Sequence, residues 1–118
     1  AMPARAFLTM LKSRFDLQVI RHTELPEGKI RKVAVCGGAG SFLLPVAMGR
    51  QADVFITGDY KYHEFFDAEG RILIADIGHY ESEQYTIHLL AEIISEKFPT
   101  FAVCLTGVTT NPVRYFTA

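Results

Sequence analysis

Apolar residues recur along this chain with two different periods, and their alternation predicts the architecture. Ala4, Phe7, Leu8, Leu11 and Phe15 fall at helical spacing behind Pro3, a residue suited to a first helical turn. Residues 17–20 read as a short strand and 24–29, with Pro26 and Gly28, as a loop. Residues 30–36 (I-R-K-V-A-V-C) predict a strand that becomes continuously apolar from Val33. Gly37, Gly38, Ala39 and Gly40 then turn the chain, and Ser41 caps a helix reaching Gly49, its first turn made irregular by Pro45. Residues 53–57 form the next strand, 61–68 a short helix ending near Gly70, and 71–76 another strand. The longest helix is expected over 79–97, with Ile87, Leu90, Ile93, Ile94 and Phe98 on one face and Pro99 as its stop. A last strand is expected over 101–105, before a tail with the turn signal Asn111-Pro112.

Strands alternating with helices imply right-handed crossovers and a mostly parallel sheet with helices on both faces, the strand at 17–20 adding at an edge. The fold class is α/β. The 118 residues suffice for one domain with a real core, so 1–118 reads as a single domain. No internal repeat is apparent. Composition is ordinary for a globular chain: 49% hydrophobic, 21% charged, formal net charge −1. The near-neutral balance argues against a dedicated nucleic-acid surface. No apolar stretch is long enough to span a membrane, and no signal peptide pattern is present. Cys36 and Cys104 lie in apolar runs without a CxxC, and read as buried, reduced thiols of a cytoplasmic protein. Alanine before Met2 suggests that the chain is an excised piece of a longer protein.

Ligands of open α/β sheets bind beyond the carboxyl ends of the strands. Four such ends carry small or polar residues here: Gly37 to Ser41, Thr57-Gly58-Asp59, Asp76-Ile77-Gly78-His79 and Thr106-Gly107. Such residues also simply make good turns. His79 and Glu83 stand four apart at a helix start, so an imidazole and a carboxylate share a face that suits a divalent metal. The bland alternative is an acidic first turn facing the positive helix end. Asp59 either caps the next short helix or orients a ligand histidine. Lys61 and His63 are either solvated surface or, respectively, an anion contact and an acid–base group. Asp76 contacts His79 or the backbone. Gly37, Gly38, Gly40 and Ser41 could cradle a phosphate, but the loop matches neither a P-loop nor G-x-G-x-x-G. His22 and His88 read as surface or core residues.

Taken together, V-A-V-C-G-G-A-G-S (33–41), A-D-V-F-I-T-G-D-Y-K-Y-H (52–63) and D-I-G-H-Y-E-S-E (76–83) resemble the carboxyl-terminal lobe of the NIF-three-like family (NGG-one-interacting factor three), whose members are known as GTP cyclohydrolase type 2 homologs. The resemblance covers the chain from about Ile30 to Pro112. It implies a two-lobed α/β fold with a dinuclear divalent-metal centre between the lobes, for which zinc, iron and manganese all suit. It makes His79 and Glu83 metal ligands, with a histidine pair and an aspartate supplied by a missing amino-terminal lobe. It gives Asp59, Lys61 and His63 a role on the substrate side or behind the ligands, and the strand-end position of Asp76 adds it to the residues expected behind them. It also implies a homo-oligomer and a metal-dependent hydrolase acting on a nucleotide-like or phosphorylated small molecule, inactive as an isolated lobe. The alternatives are a non-enzymatic metal-binding regulatory or interaction module and, from the glycine loop alone, a nucleotide-binding domain.

Overall fold

Two strands are buried on both faces, and they fix the centre of the sheet. In the computed structural model, which describes residues 1–117, every residue of β5 (Val54–Gly58) and β6 (Leu73–Asp76) is buried. They run parallel, pairing Val54 with Leu73 and Thr57 with Asp76. β4 (Val33–Ala39) adds parallel to β5 on one side. β2 (Arg21–His22) closes the other side antiparallel to β6, giving the order β2-β6-β5-β4. A separate two-stranded ladder joins β1 (Met2–Pro3) to β3 (Lys29–Ile30). The mostly parallel α/β sheet is as the hydrophobic pattern predicts.

Successive strand residues point to opposite faces, and each face carries its own core. On one, Phe7 and Leu11 of α1 (Ala4–Arg14) pack with Val54, Ile56, Leu73, Ala75 and Ile77. On the other, Leu44 and Ala47 of α2 (Leu44–Gly49) and Ala68 of the 3-10 helix Tyr62–Ala68 pack with Phe55 and Ile74. Each fully buried Val, Leu, Ile or Phe among these is worth about 1.5–3 kcal/mol in water-excluded surface.

Several local expectations change. The strand expected at 17–20 forms instead at Arg21–His22: Leu17 goes into the core, and the ladder begins where Arg21 lies opposite Asp76. The glycine run is not a plain turn. β4 continues through Ala39 with a register shift between Val35 and Ala39, and the chain turns at Gly40. Ser41 does not cap the helix; a 3-10 turn Ser41–Leu43 precedes α2, consistent with Pro45 in its first turn. Cys36 is half-buried rather than buried, because β4 is an edge strand, and Cys104 is exposed.

The chain divides into two units, Ala1–Ser82 and Glu83–Ala118, with Ala118, the end of the expected 1–118 domain, outside the described residues. The long helix expected over 79–97 is two helices, α3 (His79–Glu83) and α4 (Thr86–Lys97). The Tyr85 carbonyl accepts N–H bonds from His88 and Leu89 and starts the second. The strand expected at 101–105 is absent: its residues have strand propensity, but no described residue offers them a ladder. No described helix is long and apolar enough to cross a membrane.

Candidate functional site

Three of the four strand-end turns meet around the amino terminus of α3. The Thr57 hydroxyl, fully buried at the end of β5, donates to the Gly38 carbonyl at 2.9 Å. The Gly38 N–H donates to Ser82 Oγ at 2.8 Å, and that hydroxyl donates to the His79 carbonyl at 2.8 Å. The glycine loop is thereby tied to α3, and its Gly38 N–H is engaged by Ser82 rather than turned to a ligand. Gly58 lies backbone-to-backbone against α3: a Cβ there would sit 2.8 Å from the His79 nitrogen. Only glycine permits that approach. The fourth expected strand end, Thr106-Gly107, belongs to the second unit, where no strand precedes it and the Val108 N–H bonds Thr106 Oγ1.

His79 and Asp59 form the chemical centre of this arrangement. Their Nδ1 and Oδ2 atoms are 2.6 Å apart, with each side chain about half exposed. An ionised carboxylate only accepts, so Nδ1 carries the proton and the lone pair of the neutral ring sits on Nε2. Asp59 therefore orients the histidine instead of capping the 3-10 helix. That helix start is served by Glu64, whose Oε1 accepts the Lys61 N–H at 2.9 Å and whose Oε2 accepts from Ser41 at 2.8 Å. These bonds, the Lys61 one first, hold the Glu64 carboxyl below its ordinary range, with the nearby His63 and Lys61 charges adding to the effect. Lys61 and His63 are exposed, and among the described residues no hydrogen bond or ion pair joins their side chains to His79.

Glu83 ends the five-residue α3 that His79 begins, and it is exposed. The Glu81 carboxylate occupies the space a Gly78 side chain would need. No group of three or more His, Cys, Asp or Glu among the described residues is placed to hold a metal ion. Asp76 reaches the backbone rather than His79. It accepts from the Tyr60 N–H and the Gly78 N–H, each at 2.9 Å, and from Arg21 at 3.1 Å. Arg21 and Ser82 are structural members of this site that motif reading missed. Ser82 had only its offset of three from His79 to mark it. Arg21 had only the need of a buried strand-end aspartate for a cation.

Tyr60 follows Asp59 and is buried, its ring 5.0 Å from Phe65. Its hydroxyl is buried without a hydrogen-bond partner among the described residues. Burial first, then the Glu64 and Asp67 charges, push its pKa up to about 12. A separate groove of about 1020 Å³, lined by Leu25, Pro26, Phe65, Phe66 and Ile72, includes neither Asp59 nor His79.

A mostly parallel sheet whose strand ends converge on a carboxylate-held histidine defines an α/β protein with a strand-end site, and comparison with known proteins narrows the class. Residues 1–112 match the profile of the family described as Duf34/NIF3 (NGG1p interacting factor 3), and the chain belongs to that family. A Campylobacter jejuni protein named GTP cyclohydrolase 1 type 2 homolog is 33% identical over 117 residues, covering 98% of this chain and 46% of its own length. A Staphylococcus epidermidis protein of the same name is 32% identical, over 92% of this chain and 31% of its own. The crystal structure of a Staphylococcus aureus protein superposes with a TM-score of 0.84 at 27% identity, over 98% of this chain and 34% of that one. A Bacillus cereus protein related to NIF3 gives a TM-score of 0.79 at 29% identity, over 98% of this chain and 33% of that one. The chain spans less than half the length of these relatives.

Proposed function

We propose that this chain forms one wall of a divalent-metal centre in a longer, hydrolase-like protein. His79, through Nε2, and Glu83 hold metal, Asp59 fixes the His79 ring, and Lys61 and His63 face a nucleotide-like or phosphorylated small-molecule substrate. The observation that carries this reading is the Asp59–His79 hydrogen bond, the arrangement by which a carboxylate fixes the tautomer and orientation of a ligand histidine. Two side chains do not complete a catalytic coordination sphere. The remaining ligands come from an amino-terminal lobe of the longer protein, which the relatives' greater length leaves room for. Two divalent ions bound there would supply Lewis acidity and an activated water for hydrolysis. The relatives' name supports hydrolytic chemistry on a nucleotide. Free thiols at Cys36 and Cys104 suit the reducing cytoplasm, and a homo-oligomer is the working assembly.

Calorimetry with zinc and with manganese tests the reading. Full-length protein is expected to bind metal tightly and to lose that binding in a His79→Ala, Glu83→Ala double variant. The 118-residue chain alone is expected to bind weakly and to show no turnover. Tight dinuclear binding by the isolated chain would overturn the one-wall reading. Loss of metal in the double variant with no change in phenotype would assign the metal to a regulatory or interaction role.

A further inference from the structure

We infer that the Arg21–Asp76 ion pair is the device that positions Asp59 and His79 against each other, and that Arg21 is a positioning residue of this site. What His79 binds rests on the reading above; the positioning itself does not. The Asp76 carboxylate divides its bonds between the two residues that flank the pair. Oδ2 accepts from the N–H of Tyr60, the neighbour of Asp59, and Oδ1 accepts from the N–H of Gly78, the neighbour of His79. A single side chain thus sets the spacing of the two turns that carry the pair.

The turn at Asp59 is held in a conformation that needs such support, whereas Gly78 adopts its positive φ freely. Asp59 has φ +55° and Gly78 has φ +96°. A non-glycine residue keeps the left-handed region only where its surroundings over-determine it. Arg21 completes the grip. Its Nη1 donates to Asp76 Oδ2 at 3.1 Å and to the Tyr60 carbonyl at 2.9 Å, so both peptide groups of Tyr60 are engaged. The guanidinium lies 5.0 Å over the Phe65 ring, which narrows where else it can go. Without Arg21, Asp76 would be an unpaired charge with only 5% of its surface exposed. The chain of cause runs from Arg21 through Asp76 to the two turns, and from them to the proton on His79 Nδ1.

The test is the tautomer of His79 in metal-free, full-length protein labelled with ¹⁵N-histidine, at a pH where the ring is neutral. The resonances are assigned with His79→Gln. The wild type is expected to show the Nδ1–H form. Arg21→Met is expected to shift His79 toward the Nε2–H form, and to weaken zinc binding by about 10–100-fold. Arg21→Lys, which keeps a charged donor, is expected to restore the Nδ1–H form. Arg21→Gln is run beside Arg21→Met, so that one variant failing to fold does not void the test. A merely structural Arg21 would lower the melting temperature and leave the tautomer unchanged, and that result overturns the inference. A tautomer shift in a protein that binds no metal would sink the metal reading and leave the positioning role standing. Metal binding with an unmoved tautomer would do the reverse.

Discussion

Residues 1–82 and residues 83–117 are similarly rich in large apolar side chains, yet they use them in opposite ways. In the first unit, β5 and β6 contain no residue that is not buried. In the second, no described residue is buried, and Ile87, Leu90, Ile93, Ile94 and Phe98 of the α4 face are each 41–50% exposed. The lesson is that periodicity predicts the face of an element, whereas burial needs a partner. β5 has a strand on each side and helices on both faces. α4 presents an equally regular stripe, and none of these five side chains reaches a buried state.

The largest expected effect sharpens this contrast directly. Ile74→Ala, at a fully buried position, is expected to cost about 2–5 kcal/mol in denaturant unfolding of the full-length protein. Leu90→Ala, at a position 50% exposed, is expected to change stability by no more than about 0.5 kcal/mol. A Leu90→Ala cost as large as that of Ile74→Ala would break the contrast, and would mean that the remainder of the longer protein covers this face.

Next in size is a pH effect confined to the first unit. Tyr60 ionises at 10.0 when unfolded and at about 12 when folded. A raised acid pKa favours the neutral form in the fold. Its contribution is therefore fully present below pH 10 and is lost as pH rises from there through about 12. Two units correspond to about 2–3 kcal/mol. Tyr60→Phe is expected to flatten this stretch of the stability profile, and to be neutral or stabilising near pH 7 because it removes an unpartnered buried hydroxyl.

The proposed metal wall gives a mid-sized readout at the edge of the first unit. Asp59→Asn is expected to weaken zinc binding by the full-length protein by about 10–100-fold while shifting its melting temperature little, since Asp59 is about half exposed. The smallest expected effect is on Glu64: Ser41→Ala removes one of the two bonds that stabilise its charge, so its NMR-titrated pKa is expected to rise toward the ordinary carboxylate value.

The central strands were legible because parallel strands buried on both faces leave continuous apolar runs, as Val54 to Ile56 and Leu73 to Ala75 do. The Asp59–His79 relation was legible as one of two alternatives, because the strand-end rule brings consecutive turns of a parallel sheet to one rim. Other features depend on partners that local pattern does not carry. Arg21 is tied to Asp76 across fifty-five positions of sequence. Ser41 prefers the carboxylate of Glu64 to the helix amides that would make it a cap. The strand at 101–105 fails for the converse reason: its propensity is present and its ladder is not.

Tyr60 also makes the first unit self-reporting. The chain has no tryptophan and five tyrosines, and Tyr62, Tyr80, Tyr85 and Tyr115 are all at least 38% exposed, against 2% for Tyr60. Fixed against Phe65 in an asymmetric setting, Tyr60 should dominate the near-ultraviolet circular dichroism of the native chain and resist nitration when the other four react. Loss of that band would report melting of the sheet around Tyr60 without an introduced label.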